Sequence, residues 1–218
     1  MSGRLRLLIV NPNTSASVTR WLAEEAKRVA GEHVQVTAVN APSGLSAIQT
    51  PEELHQAARV VVDTIKNNVD FDAAIIGAFG DPGLTEARAR LAIPVVGLGE
   101  AGLRAAANGR RFSIVTLGDA MRAALIERVQ SLGLGDRLAE IRVLPTPIPR
   151  MIADREAHYD AIAEAVRACA GDAILLGGAP LAGLGAKMTE KTGATVLDGV
   201  EASVAEALKI APQRVAHN

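Results

Sequence analysis

The sequence predicts an α/β fold built from two similar units, each with a parallel β-sheet. Short apolar runs alternate with segments of helical periodicity along the whole chain, which is the pattern typical of parallel sheets. The second half also echoes the first at a nearly constant offset, since IIGA at 75–78 is matched by LLGG at 175–178. Each unit is therefore expected to place helices around a sheet of apolar strands.

The amino-acid composition argues against several classes of protein. The 218 residues are 49% hydrophobic with a net charge of −1 and 2% aromatic residues, so neither a basic nucleic-acid footprint nor a base-stacking platform is expected. The single cysteine, Cys169, excludes a disulfide framework and a multi-thiolate zinc site. No apolar run approaches the ~20 residues that span a bilayer, and the start of the chain does not read as a signal peptide. A soluble, cytoplasmic protein without membrane partners is expected.

The first elements in chain order are a strand, a helix and a second strand. Residues 5–10 form an apolar run that ends in the turn NPNTS, where Thr14 or Ser15 can cap the helix that follows. Residues 33–39 alternate between polar and apolar side chains, which predicts a strand with one drier face.

A clear helix start then occurs at Thr50. Pro51 suits the first helical position, and Glu53 stands where it can complete a capping box with Thr50. Two buried strands and two helices complete this half. The strands are predicted at 71–77 and 93–98, and the helices at 84–92 and 99–109.

The same scheme begins again in the second half. The predicted strands are 111–118, 141–145, 173–178 and 194–199. The predicted helices are one capped by Asp119, one at about 154–170 and one near 201–210. Coincidence stays an alternative to a true repeat, because strands rich in Val and Ile and helices rich in Ala resemble one another.

The loops after four strands predict a ligand site. They read NPNTS, GAFGDPGL, TLGDAM and GGAPLAGL, and parallel sheets bind ligands beyond the carboxyl ends of their strands. Glycine-exposed amides and helix N-termini there favour a carboxylate or imide oxygen. Each loop taken singly also fits a tight turn. Two facing units would bring all four loops to one cleft, which favours a site for a small anion.

With these motifs assembled, the sequence resembles the aspartate/glutamate racemase superfamily, and most closely its hydantoin and allantoin racemase branch. The motifs are NPNTS, PSGLSAIQ, GAFGDPGL and LLGGAPLAGL. The resemblance implies two pseudo-symmetric three-layer α/β domains with parallel four-stranded sheets and the active site in the cleft between them. The domains are predicted at 1–98 plus about 198–218, and at 99–197. A cofactor-independent homo-oligomer without a metal site is expected.

The resemblance also implies two catalytic cysteines, one removing the α-proton and the other returning a proton from the opposite face. They would fall at Ala78 and Gly178, and neither thiol is present. A natural thiol-free branch is the simplest account, because Pro180 and Leu181 also depart from the motif. Gln49 replaces a carboxylate that family members sometimes carry after PSG.

Few side chains can stand in for the thiols. Asp81 fits two roles, the commoner being a turn former before Pro82 and the other a general base. Cys169 shares an apolar helical face and is expected in the core. His158 could act as a base near neutral pH, although a solvent-facing histidine is commoner. Convincing partners are lacking for the remaining histidines, His33, His55 and His217.

Polar side chains after the strands are candidates for holding substrate oxygens. Asn11 and Thr116 fit this role and turn formation equally, Asn13 offers an amide, and capping is favoured for Thr14. The other candidate substrate-binding residues are Gln49, Phe79, Gly80, Ala179 and Pro180.

Three functions stay open on the sequence. The first is a cofactor-independent isomerase, resembling hydantoin racemases, that acts on a small carboxylate or cyclic ureide without the thiol pair. The second is a lyase or hydrolase that uses the same cradle. The third is a non-catalytic protein that binds such a molecule.

Overall fold

The computed structural model describes residues 4–212, which form two four-stranded sheets. The strands are β1 (Leu5–Asn11), β2 (Val34–Asn40), β3 (Ala73–Ile76), β4 (Val95–Gly97), β5 (Phe112–Leu117), β6 (Leu138–Leu144), β7 (Ala173–Gly177) and β8 (Val196–Asp198). The helices are α1 (Ala16–Ala30), α2 (Pro51–Asn67), α3 (Leu84–Arg90), α4 (Leu98–Ala106), α5 (Arg122–Ser131), α6 (Ile148–Ala153), α7 (Tyr159–Arg167), α8 (Gly185–Thr192) and α9 (Gly199–Ile210).

Both sheets have the same topology, so the predicted fold class is confirmed. The strand orders are β2-β1-β3-β4 and β6-β5-β7-β8, and every pairing between neighbours is parallel. The first strand of each unit therefore lies inside its sheet, next to the third. Because all strands of a sheet run the same way, the loops after β1 and β3 share one edge, as do those after β5 and β7.

Alternating strand residues produce three layers in each unit. In β1, Leu7 and Ile9 pack with side chains of α1 and α9, whereas Leu8 and Val10 pack with α2 and α3 on the opposite face. In β5, Ile114 packs toward α4 and α5, and Val115 toward α6, α7 and α8. Strands covered on both faces read as continuous apolar runs, which is why they were recognisable in the sequence.

The two units exchange one helix each. Helix α4 follows the first sheet but contributes Leu103 to the core of the second, while α9 follows the second sheet and contributes Val204 to the core of the first. The two helices meet closely, since a Cβ added to Gly102 would lie 3.1 Å from the Cα of Gly199. The division of the chain at 98 and 198 stays a prediction.

Two of the predicted helix starts are confirmed. Thr50 and Glu53 form the capping box at the start of α2, with Pro51 in its first turn. Ser15 caps α1 by accepting a hydrogen bond from the Val18 amide. The cap expected of Thr14 is not made, because its hydroxyl donates to the Leu45 carbonyl instead.

The second unit differs from the sequence prediction in four helices. Asp119 does not cap α5: it begins a 3₁₀ turn, and its carboxylate accepts from the Arg122 guanidinium. Helix α7 begins at Tyr159 rather than near 154, after another 3₁₀ turn. Helices α6 and α8 were not predicted, because α6 is short and contains Pro149, and α8 buries only Gly185 and Met188. Within residues 4–212, no helix has the length and apolarity to cross a bilayer.

Candidate active site

The loops after β1, β3, β5 and β7 meet at one cavity of about 440 Å³. This is the edge at which parallel sheets place their ligand sites. Both units contribute to its wall, so the predicted gathering of loops is present in the structure. Eight of the predicted site residues line it: Asn13, Ala78, Phe79, Gly80, Thr116, Gly178, Ala179 and Pro180.

Two equivalent turns, one from each unit, form part of this wall. In the β3 loop, residues 77–84, the Asp81 amide donates to the Ala78 carbonyl at 3.0 Å. In the β7 loop, residues 177–184, the Leu181 amide donates to the Gly178 carbonyl at 2.9 Å. The turns therefore have the same backbone pattern at an offset of 100 residues, which is the offset seen in the sequence.

Both turns leave main-chain donors unused. Among contacts within residues 4–212, the N–H groups of Ala78, Phe79, Gly80, Gly178 and Ala179 donate no hydrogen bond. Ala78 and Ala179 are nevertheless buried. These unused donors are therefore available to the oxygen atoms of a bound molecule.

Direct contact between the loops fixes their separation. The Phe79 ring lies against Gly177, where an added Cβ would stand 2.8 Å from Cε1 of the ring. Gly177 must therefore lack a side chain for Phe79 to reach the second unit. This contact joins the first unit to the second across the cavity wall.

Asn13, in the loop after β1, and Thr116, near the end of β5, contribute polar side chains to the cavity wall. The Asn13 side-chain oxygen accepts a hydrogen bond from the Ser15 amide at 2.8 Å. The Nδ2 group of Asn13 donates to no acceptor among the described residues. The Thr116 hydroxyl likewise has no partner in residues 4–212. Both groups can therefore donate to a bound oxygen.

Asn11 does not reach the cavity wall. It is fully buried, and its Nδ2 donates to Asn13 at 2.9 Å and to Thr19 at 3.0 Å. Its role is to hold the loop that presents Asn13. Gln49 is also outside the wall: Ala47 and Ile48 line the cavity, whereas Gln49 is exposed.

Asp81 is buried behind the β3 loop rather than in the cavity wall. Its carboxylate accepts from the amides of Gly99 at 2.8 Å and Glu100 at 2.7 Å, at the start of α4. Arg128 also donates to it, at 3.3 Å. Burial raises the pKa of Asp81 to about 7, although the two amides and Arg128 oppose the rise. With its oxygens engaged, Asp81 is placed to brace the loop, not to take a proton from a ligand.

The wall formed by α5 was missed in the sequence. Its cavity-lining residues are Ala124, Leu125, Glu127, Arg128 and Ser131, with Met121 directly before the helix. Most of these positions are three or four apart and so share one face. Sequence spacing alone could have shown that face, but not that it borders a cavity.

Arg128 links the cavity wall to the buried network behind it. Its Nη2 donates to Glu100 at 2.8 Å and to Asp81, while its buried Nε has no acceptor in the described part of the chain. Glu100 keeps a lowered pKa: burial alone would raise it, but Arg88, Arg128 and Arg104 together outweigh that effect. The network therefore joins α4 and α5 beneath the β3 loop.

The remaining candidate groups lie away from the cavity wall. Cys169 is half-buried against the apolar core of the second unit, and its thiol donates to the Ala165 carbonyl. Burial raises the pKa of the Cys169 thiol, which disfavours the thiolate. His158 is half-buried at the end of a 3₁₀ turn, His33 and His55 are exposed, and His217 lies outside the described residues. Residues 4–212 contain no cluster of His, Cys, Asp and Glu suited to a metal ion.

Comparison with known proteins gives a consistent result. Residues 7–207 match the family model described as Asp/Glu/hydantoin racemase. The chain is 31% identical to a hydantoin racemase from Pseudomonas sp. (strain NS671) over 92% of this chain and 83% of that protein. It is 30% identical to a hydantoin racemase from Paenarthrobacter aurescens, covering 94% and 91% of the two chains. The crystal structure of allantoin racemase from Pseudomonas fluorescens superposes with a TM-score of 0.87 at 31% identity, covering 94% and 90%.

Proposed function

The chain belongs to the Asp/Glu/hydantoin racemase family of enzymes, and from this membership we propose that it acts on a small cyclic ureide or carboxylate resembling a hydantoin. The reaction we propose is isomerisation at the carbon next to a carbonyl group, without a cofactor. The relatives named hydantoin racemase and allantoin racemase support this choice of substrate class.

The observation that carries the proposal is the set of unpaired amides in the two loops. A hydantoin or carboxylate presents several carbonyl oxygens, and the free N–H groups of the β3 and β7 loops can donate to them. Donors aimed at a carbonyl oxygen also stabilise the negative charge that develops there when the adjacent carbon loses its proton. The backbone cradle therefore supplies electrostatic stabilisation whether or not a thiol is present.

Proton transfer must follow a different route from the one the family resemblance implies. Ala78 and Gly178 occupy the positions of the two thiols and carry no acid or base. Among the wall residues in the described chain, Glu127 has the only carboxylate, and it lies at an exposed position. We assign the proton exchange to water admitted to the cavity, with Glu127 as the side chain able to accept a proton there.

Hydrogen exchange tests this function. Single enantiomers of 5-substituted hydantoins and of allantoin are incubated with the protein in deuterated water, and α-deuteration is followed by NMR alongside optical rotation. We expect deuterium incorporation to accompany racemisation, since both arise from the same deprotonated intermediate. Exchange at the buffer rate with every compound would rule out the isomerase.

A non-catalytic binding role is the second candidate, favoured by the loss of both thiols while the loops are kept. It differs from the first in one measurable respect. Tight binding of a hydantoin, seen as a thermal shift, with no exchange and no product would identify a binding protein rather than an enzyme.

A further inference from the structure

The β3 and β7 loops each contact the helix that follows the first strand of the opposite unit. Arg128, on α5 of the second unit, donates to Asp81 in the β3 loop. Reciprocally, α1 of the first unit contacts the β7 loop, where a Cβ added to Gly183 would lie 3.3 Å from the Cβ of Glu25. The position of each loop therefore depends on a helix of the other unit.

Arg155 joins α1 to the β7 loop through two contacts. Its guanidinium carbon lies 4.1 Å from the centre of the Trp21 ring, on α1. Its Nη1 donates to the Ala182 carbonyl at 2.7 Å. The stack is stabilised by the attraction between the cation and the indole ring, and the planar guanidinium directs its N–H groups within one plane. Trp21 of the first unit therefore fixes the direction from which Arg155 donates to a loop of the second unit.

The Ala182 carbonyl is well placed to control the loop's free amides. The Leu181 amide donates to the Gly178 carbonyl at 2.9 Å, and the Ala182 amide donates to the Ala179 carbonyl at 3.1 Å. Gly178 and Ala179, at the start of this turn, carry the unused N–H groups and line the cavity. Arg155 is not among the cavity-lining residues, so its influence on a ligand passes through the turn.

We propose that Arg155 is a positioning residue: stacked on Trp21, it holds the Ala182 carbonyl so that the amides of Gly178 and Ala179 and those of the β3 loop can bind one ligand together. The inference rests on the proposed function, because it takes these amides to be the donors that hold the ligand. Trp21 acts through Arg155 and makes no contact with the ligand.

The hold on the loop is tested first in the ligand-free protein, by amide hydrogen exchange followed by NMR. Arg155→Met keeps an aliphatic side chain but removes both the donor and the charge. Because a hydrogen bond from a charged donor is lost, we expect the Leu181 and Ala182 amides to exchange at least about tenfold faster than in the wild type. The Asp81 amide, in the equivalent turn of the β3 loop, should stay within about twofold, since it lies outside the disturbed turn.

Arg167→Met is the matched control. Arg167 also donates to a main-chain carbonyl of the second unit, that of Lys191 at 2.7 Å, but it is exposed and is not among the cavity-lining residues. Its loss should leave the exchange of Leu181 and Ala182 within about twofold of the wild type. Trp21→Leu replaces Arg155→Met if that variant does not fold, and it should accelerate the same two amides by about threefold.

Binding of 5-isopropylhydantoin, measured by isothermal titration calorimetry, tests the consequence for the ligand. Arg155→Met should weaken binding by at least about tenfold, and Arg155→Lys, which keeps a charged donor, should recover most of that loss. Trp21→Leu should weaken binding by about threefold alone but cause no further loss in Arg155→Met, since it acts through Arg155. In Arg155→Met, the amide shifts that the ligand causes at 178–179 should shrink more than those at 78–80.

The two readouts separate failure of this inference from failure of the proposed function. Unchanged exchange of Leu181 and Ala182 in Arg155→Met, or an equal loss from Trp21→Leu in both backgrounds, would overturn the positioning role. A wild type that binds no hydantoin would overturn the proposed function, whereas faster exchange of the two amides in Arg155→Met would still support the hold of Arg155 on the loop.

Discussion

The β3 loop and the β7 loop share a backbone but are anchored by different chemistry. Both turns close on a hydrogen bond between equivalent residues, and Gly83 and Gly183 have nearly the same φ, 73° and 76°. Their fourth residues differ: Asp81 is a buried carboxylate tied to amides of α4, whereas Leu181 packs in the apolar core of the second unit. The feature that the two halves share is therefore the main-chain conformation of the β3 and β7 loops, not the side chains that anchor them.

In the second unit, the carboxylate that anchors the β7 loop lies outside that loop. Asp198, at the end of β8, accepts from the amides of Gly183 and Gly185 and also caps α9 through Val200. In the first unit the loop carries the acid and the next helix carries the amides; in the second unit these roles are reversed. Both arrangements tie the loop after the third strand to the corner after the fourth.

Replacing Asp81 with the residue of the other loop is expected to have the largest effect. Asp81→Leu leaves the Gly99 and Glu100 amides and one side of Arg128 without their buried acceptor. We expect a loss of about 3–5 kcal/mol in the free energy of unfolding, measured by urea denaturation. Asp119→Asn, at an exposed acid, should stay within about 0.5 kcal/mol of the wild type. Equal stability of Asp81→Leu and the wild type would show that the β3 loop does not depend on this anchor.

The second difference expected between the two loops is in the pH dependence of stability. Folding raises the pKa of Asp81 from 3.8 to about 7 by burial. The stability linked to its neutral form is therefore complete below pH 3.8 and is lost as the pH rises through about 7. Leu181 cannot titrate, so the β7 loop contributes no such term.

The contribution of Asp81 is measured as the difference in the free energy of unfolding between the wild type and Asp81→Asn. This comparison is needed because folding also shifts the pKa values of Glu100 and Asp198. Between pH 5 and 7 the wild type should lose about 2 kcal/mol relative to the variant. If the wild type instead became more stable relative to Asp81→Asn as the pH rises, the two amides and Arg128 would have a larger effect on the pKa of Asp81 than burial has.

The third residues to compare are the two positions where the family resemblance places thiols. Gly178 has a φ of 127°, and a Cβ built there would meet only the Pro180 ring, at 3.8 Å. Gly178→Ala is therefore limited by backbone strain rather than by space and should cost about 1–2 kcal/mol. Ala78 has no positive φ, so Ala78→Gly should cost less than about 1 kcal/mol. Chemical denaturation of both variants checks this asymmetry, and equal costs would count against it.

Local sequence signals predicted the parts of the fold that depend on neighbours in the chain. The capping box at Thr50 and the strands of both sheets follow from residues a few positions apart. Helix α8 escaped prediction because its burial depends on packing against the second sheet. Asp81 was recognised as a turn residue, but its partners Gly99 and Arg128 lie 18 and 47 residues away, so their contact could not be read from local spacing.

The sequence likewise predicted one part of the candidate site and missed another. The predicted residues Ala78, Thr116 and Gly178 line one cavity, because strand order brings the ends of their strands together. The cavity face of α5 was missed, since a helix face with small side chains looks the same in sequence whether it borders solvent, core or a ligand site. Asn11 and Gln49 were predicted as substrate-binding residues from their motif positions, but neither lines the cavity.

Amide NMR tests the two-loop cradle most directly. The ¹⁵N-labelled protein is titrated with 5-isopropylhydantoin, and the amide resonances of residues 78–80 and 178–179 are followed to saturation. Our account predicts that both groups shift together with one dissociation constant, and that their protons move downfield as they acquire an acceptor. Shifts confined to one loop, or two different dissociation constants, would contradict a single ligand held between the two units.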